Sequence, residues 1–266
     1  GTLKGYGQIG TGAWAAGGTM SSYYGGAFSG TQAAGVYAGG VPGPTTTTSL
    51  YDGTSWTVNP SGLNTARTHF PCGGCGTQTA AMVTGGQTPG GMIGNTEWFN
   101  GSTWTEKNLL ITARDTMAVG GNQTAAIGMC GHDGSSVVAL VEEWDGTSWT
   151  AGTAAPQAKN YVMGGGNPTS SIVCGGSTGS ITGTADEWNG TSWTEIANMN
   201  SARAQGGSAA PSATSALIFG GEEPPRVVKT EQWDGSAWTE VADLGTANNN
   251  VSGGGTTFVA ICAGGE

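Results

Sequence analysis

Charge is scarce in this chain. Of its 266 residues, 8 are Lys or Arg and 18 are Asp or Glu, which leaves 10% of the chain charged and a formal net charge of -10. An average domain carries about 25% charged residues. So few cations offer no electrostatic footprint to a phosphate backbone, which excludes nucleic acid as a partner. Anionic membrane surfaces are disfavoured for the same reason. No apolar run approaches the roughly 18 residues of a membrane span, so membrane insertion is not expected. No basic start followed by an apolar stretch marks a signal peptide. The sequence begins with Gly1 rather than Met, so a processed product or a part of a longer polypeptide is expected.

Histidine and cysteine are also sparse, with 2 and 5 residues. An odd cysteine count excludes a full set of internal disulfides. Cys130, Cys174 and Cys262 lie in short apolar runs beside glycines and read as small core residues. Cys72 and Cys75 form a lone CxxC, and no second CxxC or His pair completes a zinc site. Positions three apart in a strand point to opposite faces, which opposes chelation. His69 and His132 fall in different repeats. No catalytic residue, metal or cofactor is therefore expected.

Glycine and tryptophan are abundant, at 51 and 10 residues. The tryptophans are periodic. The segments 51–57, 98–105, 144–150, 188–194 and 233–239 each join an aromatic residue to a Trp-Thr pair through Asp-Gly or Asn-Gly. Their second aromatics, Trp56, Trp104, Trp149, Trp193 and Trp238, recur at spacings of 44 to 48 residues. A weaker copy ends at Trp14. Between these motifs run short apolar stretches that end in glycine, such as Ile172-Val-Cys-Gly-Gly176 and Leu217-Ile-Phe-Gly-Gly221. Before each stretch comes a third element: Ala66-Arg67, Ala113-Arg114, Ala158-Lys159, Ala202-Arg203 or Ala247-Asn248, followed by glycines.

Each repeat reads as four short strands, a to d. Strand a is Gly-rich, b is the apolar run, and c and d flank the Asp-Gly or Asn-Gly pair, which predicts a type I′ hairpin. Nothing shows helical periodicity. Repeats of 40 to 50 residues with four strands predict propeller blades. The chain opens on a c–d-like copy and closes on an a–b pair, so joining the ends yields one further blade. The expectation is one all-β domain over residues 1–266. It is a six-bladed β-propeller with four antiparallel strands per blade, closed by N-terminal c–d strands joining C-terminal a–b strands.

Two sets of residues are candidates for function. Loops between b and c, at 41–46, 87–95, 132–136, 177–184 and 222–227, vary most and open on the face where strand a begins. Their charged clusters are His132 with Asp133, and Glu222, Glu223 and Arg226. Arg67, Arg114, Lys159 and Arg203 share one repeat position. They are read either as structural partners of the acidic residue before the first Trp, namely Glu97, Glu143 or Glu187, or as a ring of positive charge at one mouth of the central channel.

The Gly-Gly strand and the later aromatic pair resemble kelch-type propeller repeats. The wording "EWDGTSWTE" with "ARxxxxGG" is similar to kelch-like repeats of virion and tail proteins of bacteriophages, notably those infecting marine cyanobacteria. The resemblance covers nearly the whole chain. It implies a non-enzymatic virion, tail or fibre component in the extracellular particle, presenting loops to other virion proteins or to a host-surface glycan. The alternative is a multivalent carbohydrate-binding lectin propeller. Fold alone decides neither.

Overall fold

The computed structural model of the chain describes residues 2–7, 13–20, 24–68 and 74–266. Its architecture is an all-β propeller of small antiparallel four-stranded sheets, with no helix among the described residues. Five sheets are each wound from one continuous stretch of chain, in the order a-b-c-d from the axis outward. Blade 1 comprises Ala27–Gly30, Gly35–Ala38, Thr48–Tyr51 and Trp56–Asn59. Blade 2 comprises Gly74–Thr77, Ala80–Thr84, Thr96–Phe99 and Trp104–Lys107. Blade 3 comprises Ala118–Asn122, Ala125–Met129, Val141–Trp144 and Trp149–Ala151. Blade 4 comprises Met163–Asn167, Ser170–Cys174, Ala185–Trp188 and Trp193–Ile196. Blade 5 comprises Gly207–Ser212, Ser215–Phe219, Thr230–Trp233 and Trp238–Val241.

The expected count of six blades is corrected to five. Each of the five carries one aromatic pair across its c–d turn: Tyr51–Trp56, Phe99–Trp104, Trp144–Trp149, Trp188–Trp193 and Trp233–Trp238, with ring centroids 4.9 to 5.5 Å apart. The remaining sheet joins the chain ends, pairing Val251–Gly255 and Val259–Gly264 with Thr2–Gly7 and Ala13–Thr19. It sits between blades 5 and 1, where the Ser252 hydroxyl donates to the Gly26 carbonyl and the Gly25 N–H donates to Asn250 O. It departs from the blade pattern. Its outer strand runs seven residues, against three or four in the blades, and its ladder slips between Thr2 and Lys4. Trp14 stacks edge-on against Phe219 of blade 5. The expected turn copy at residues 9–12 lies outside the described residues, as do Ser21, Ser22, His69 and Cys72.

The c–d connection also differs from the expected type I′ turn. In blade 3, Trp144 pairs with Trp149, so the loop spans four residues rather than two. Only Gly146 of the Asp-Gly pair takes a left-handed φ, at 95°. The Asp145 carboxylate closes the loop by accepting the N–H groups of Thr147 and Ser148, both at 2.8 Å. Asp52, Asn100, Asn189 and Asp234 do the same in the other blades. An Asx side chain thus replaces the second left-handed residue that a two-residue turn demands.

The core lies between sheets rather than within one. Each hydrophobic cluster joins neighbours, as where Ile127, Met129 and Val141 of blade 3 meet Val162, Val173 and Trp188 of the next unit. The outer Trp of one blade bonds its predecessor: Trp104 Nε1 donates to Thr48 Oγ1 and Trp149 Nε1 to Thr96 Oγ1, each at 2.9 Å. That satisfies the indole N–H inside an apolar layer. Cys130, Cys174 and Cys262 are buried in these layers, as expected.

At the axis the inner strands approach backbone to backbone. A Cβ on Gly120 would stand 2.6 Å from the Gly166 N and O atoms of the next blade. Gly120→Ala is therefore expected to destabilise the protein by roughly 1–3 kcal/mol, because overpacking against backbone has no rotamer to relieve it. Gly90→Ala, whose nearest neighbour is Thr88 Oγ1 at 3.5 Å, should be near neutral. Urea midpoints of the two variants against the parent chain measure the contrast.

Candidate functional site: the loop face and the axial mouth

Strands a and c run from one face and b and d return to it, so the b–c loops and the starts of strand a share a face. Isolated bridges tie them together: Asp115 to His132, Asn160 to Ser177, Ala204 to Glu222, Thr68 to Gln87 and Tyr24 to Val41. The loops also close on themselves, through His132 to Val137, Ser177 to Ile181 and Glu222 to Arg226. In blade 2 the loop forms its own hairpin, Gln87–Thr88 with Gly91–Met92. Loops of different composition are thereby held rigidly on a repeating frame.

The four basic residues of the expected channel-mouth ring lie elsewhere. Arg67, Arg114, Lys159 and Arg203 are fully buried. They pair with Glu97, Glu142, Asp186 and Glu231 on strand c of the adjoining blade. The positive ring is corrected to a set of buried clamps, because a charge this deep requires a counter-charge. The partner is also corrected in two blades. Glu142 and Asp186 serve in place of Glu143 and Glu187, since strand alternation turns the earlier residue inward. The same register puts Phe99, rather than Trp98, in the blade 2 aromatic pair. Trp98 instead meets Trp144 of blade 3 edge-on and lies under the Lys107 ammonium, 4.6 Å from its ring centroid.

Each carboxylate does more than neutralise. Glu97 accepts the N–H groups of Asn64 and Thr65, Glu142 those of Ile111 and Thr112, and Glu231 those of Asn200 and Ser201. Those residues form the d-to-a connectors. Arg67 also donates to Gly85 O and Asn95 O, while Arg114 donates to Cys130 O and Gly128 O. One ion pair therefore fastens the incoming connector to strands b and c of the blade it enters.

The predicted loop residues are local in role. Asp133 accepts the N–H groups of Ser135 and Ser136, and these bonds hold its carboxyl below the usual range. His132 Nδ1 accepts the Gly134 N–H. Glu223 pairs with Lys229 at 2.7 Å, and Arg226 reaches Glu266 at 3.8 Å, both partly in water. Glu222 stands apart from these, because its Oε2 accepts from Asn249 Nδ2 at 3.2 Å. His132 and Glu222 therefore lie at the starts of strands a, around the axis.

The residues missed by sequence reasoning stand there too. Asp115, Tyr161, Gln205 and Asn249 follow the clamp position by one or two residues. Thr116, Tyr161, Gln205 and Asn250 all take left-handed φ angles of 52 to 60°. A non-glycine residue is uncommon in that region. The signal in the sequence was the polar, changing pair directly after each clamp residue: Asp-Thr, Asn-Tyr, Ala-Gln and Asn-Asn. Below the mouth lies a cavity of about 230 Å³, lined by the inner strands and including Ser29, Gly120, Gly165, Ser208 and Gly254, with no charged residue on its wall among the described residues. The Cys75 thiol reaches this wall, and burial pushes its pKa up to about 12, which leaves it unreactive.

Two outcomes are expected. Arg114→Met strands the Glu142 carboxylate in the core and should cost about 3–5 kcal/mol in denaturant titration, whereas Arg114→Met with Glu142→Leu should recover most of that loss. Asp115 is buried, and desolvation raises its carboxyl from 3.8 to about 6. The folded state holds that proton more tightly than the unfolded chain. Its contribution to stability is complete below about pH 4 and is lost as pH rises through about 6. Asp115→Asn should therefore gain about 1–2 kcal/mol over the parent near pH 7.5, with no gain at pH 4. Melting curves at the two pH values decide it.

Comparison of the chain with protein-family models and with curated proteins gives no match.

Proposed function

We propose that this chain is a non-enzymatic, kelch-like component of a bacteriophage particle, in the tail, a fibre or the virion surface, whose loop face contacts the host or other virion proteins. The observation that carries the reading is the division of labour along each repeat. The clamp, the aromatic pair and the axial glycines recur, while the b–c loop pinned to each of them differs in length and chemistry. That is the layout of a rigid scaffold that displays variable contacts. The repeat wording shared with phage propellers supports the particle setting. A frame with 8 Lys and Arg and closed sheet edges suits an extracellular particle.

A host-surface glycan is the alternative partner. Stacking of sugars is disfavoured at Trp104, Trp144, Trp149, Trp188, Trp233 and Trp238, which are buried, while Trp14, Trp56, Trp98 and Trp193 are half-buried. Glycan contact is assigned to the loops, which vary between blades. An array of host cell-surface polysaccharides tests this. Competable binding that is lost when residues 222–227 are replaced by a Gly-Ser loop, at unchanged melting temperature, assigns the loop face to host attachment. Silence from a folded sample, with cross-links from the same face to neighbouring proteins in intact particles, assigns it to virion assembly. Turnover of a polysaccharide on the array would overturn the non-enzymatic reading.

A further inference from the structure

We propose that the axial mouth on the loop face binds an organic cation, an alkylammonium such as a lysine side chain, seated against Tyr161 between Glu222 and Asp115. The site goes beyond the particle reading and would serve the chain in any setting.

The argument begins with how the protein treats its carboxylates. The buried Glu97, Glu142, Asp186 and Glu231 each have a cation. Glu223 and Glu266 at the loop face have one as well. Among the described residues, Asp115 and Glu222 form no ion pair. Asp115 is 5% exposed, and its side chain accepts only from the Thr116 hydroxyl, at 3.2 Å. His132, bridged to Asp115 through the backbone, is the neighbouring imidazole. A buried carboxylate without a counter-ion is costly and attracts a cation from outside.

The surrounding groups are acceptors left over. Asn249 is 5% exposed and donates its amide hydrogens to Gln205 Oε1 at 3.1 Å and Glu222 Oε2 at 3.2 Å. Its own Oδ1 is buried and receives no donor. Gln205 N–H donates to Tyr161 O at 3.2 Å, and Glu222 is bridged to Ala204, so Tyr161, Gln205, Glu222 and Asn249 form one contiguous arc of the mouth. Asp115 begins the inner strand of the blade on the other side of Tyr161, whose phenol is held above its usual range by burial first and then by the charges of Asp115 and Glu222. Arg226 borders this arc and is directed to Glu266, at 3.8 Å, whose own N–H donates to Asn249 O.

A ligand that fits carries donors and positive charge and no acceptor. An ammonium has three N–H donors and none to accept. An aromatic ring beside two carboxylates adds a cation–π term to the charge attraction. A metal ion fits less well: among the described residues no three His, Cys, Asp or Glu side chains converge on one point.

The test uses the whole chain and two probes, Nα-acetyl-lysine methylamide and its uncharged isostere Nα-acetyl-norleucine methylamide, titrated by NMR with the Gln205 and Asn249 side-chain amide signals as the readout. The lysine probe is expected to saturate with Kd near about 1 mM, to weaken with salt, and to bind roughly tenfold better than the norleucine probe. Tyr161→Ala and Glu222→Gln should each weaken it roughly fivefold or more, at unchanged melting temperature. Equal response to the two probes, or a lysine affinity indifferent to both substitutions in folded protein, overturns the proposal. Both probes are free of glycan and of virion protein, so failure here is separate from failure of the particle reading.

Discussion

The buried ion pair between a connector cation and a strand-c carboxylate organises this propeller. It occurs four times, as Arg67–Glu97, Arg114–Glu142, Lys159–Asp186 and Arg203–Glu231. Two charges in a core gain little net stability over an apolar pair. Their value here is geometric. In the three Arg-based clamps the carboxylate also collects two connector N–H groups, while the cation donates as well to at least one carbonyl of the blade it enters. The connector therefore has one register, and strand a enters the ring at one depth. Blade 1 has Ser49 where the others have the carboxylate.

The rest of the packing depends on that depth. Inner strands meet at glycine with no side chain to absorb an error, as at Gly120 against Gly166. Further out the wedge between blades widens, and the aromatic pairs fill it. The indole N–H groups of Trp104 and Trp149 reach Thr48 and Thr96 of the preceding blade, so those interfaces are both apolar and directed. Small at the axis and large at the rim is what radial packing of flat sheets requires.

Clamp and function are adjacent in the chain. The residues directly after the clamp start strand a and surround the axial mouth. Because the clamp fixes the backbone before them, Thr116, Tyr161 and Gln205 can be held in left-handed conformations that a free loop would avoid. The polar side chains there are presented by a frame with little freedom to rearrange.

Much of this was legible in the sequence. The Trp period, the Gly-Gly run and the Ala-Arg pair determined an all-β propeller with four strands per repeat, because each is a local pattern with one structural reading. The loop face was legible for the same reason, since b–c loops and strand-a starts must share a side. Tertiary structure decided what depends on depth and partner. It turned the four cations inward, because their positions face a strand-c carboxylate rather than the channel. It selected Glu142 and Asp186 over their neighbours, and Phe99 over Trp98, because the turn sets strand parity. It made the terminal sheet unlike the five blades, since that sheet is assembled from strands far apart in the chain. And it gathered Asp115, Tyr161, Glu222 and Asn249 at one mouth, a proximity of residues from four sheets that no local pattern in the chain encodes.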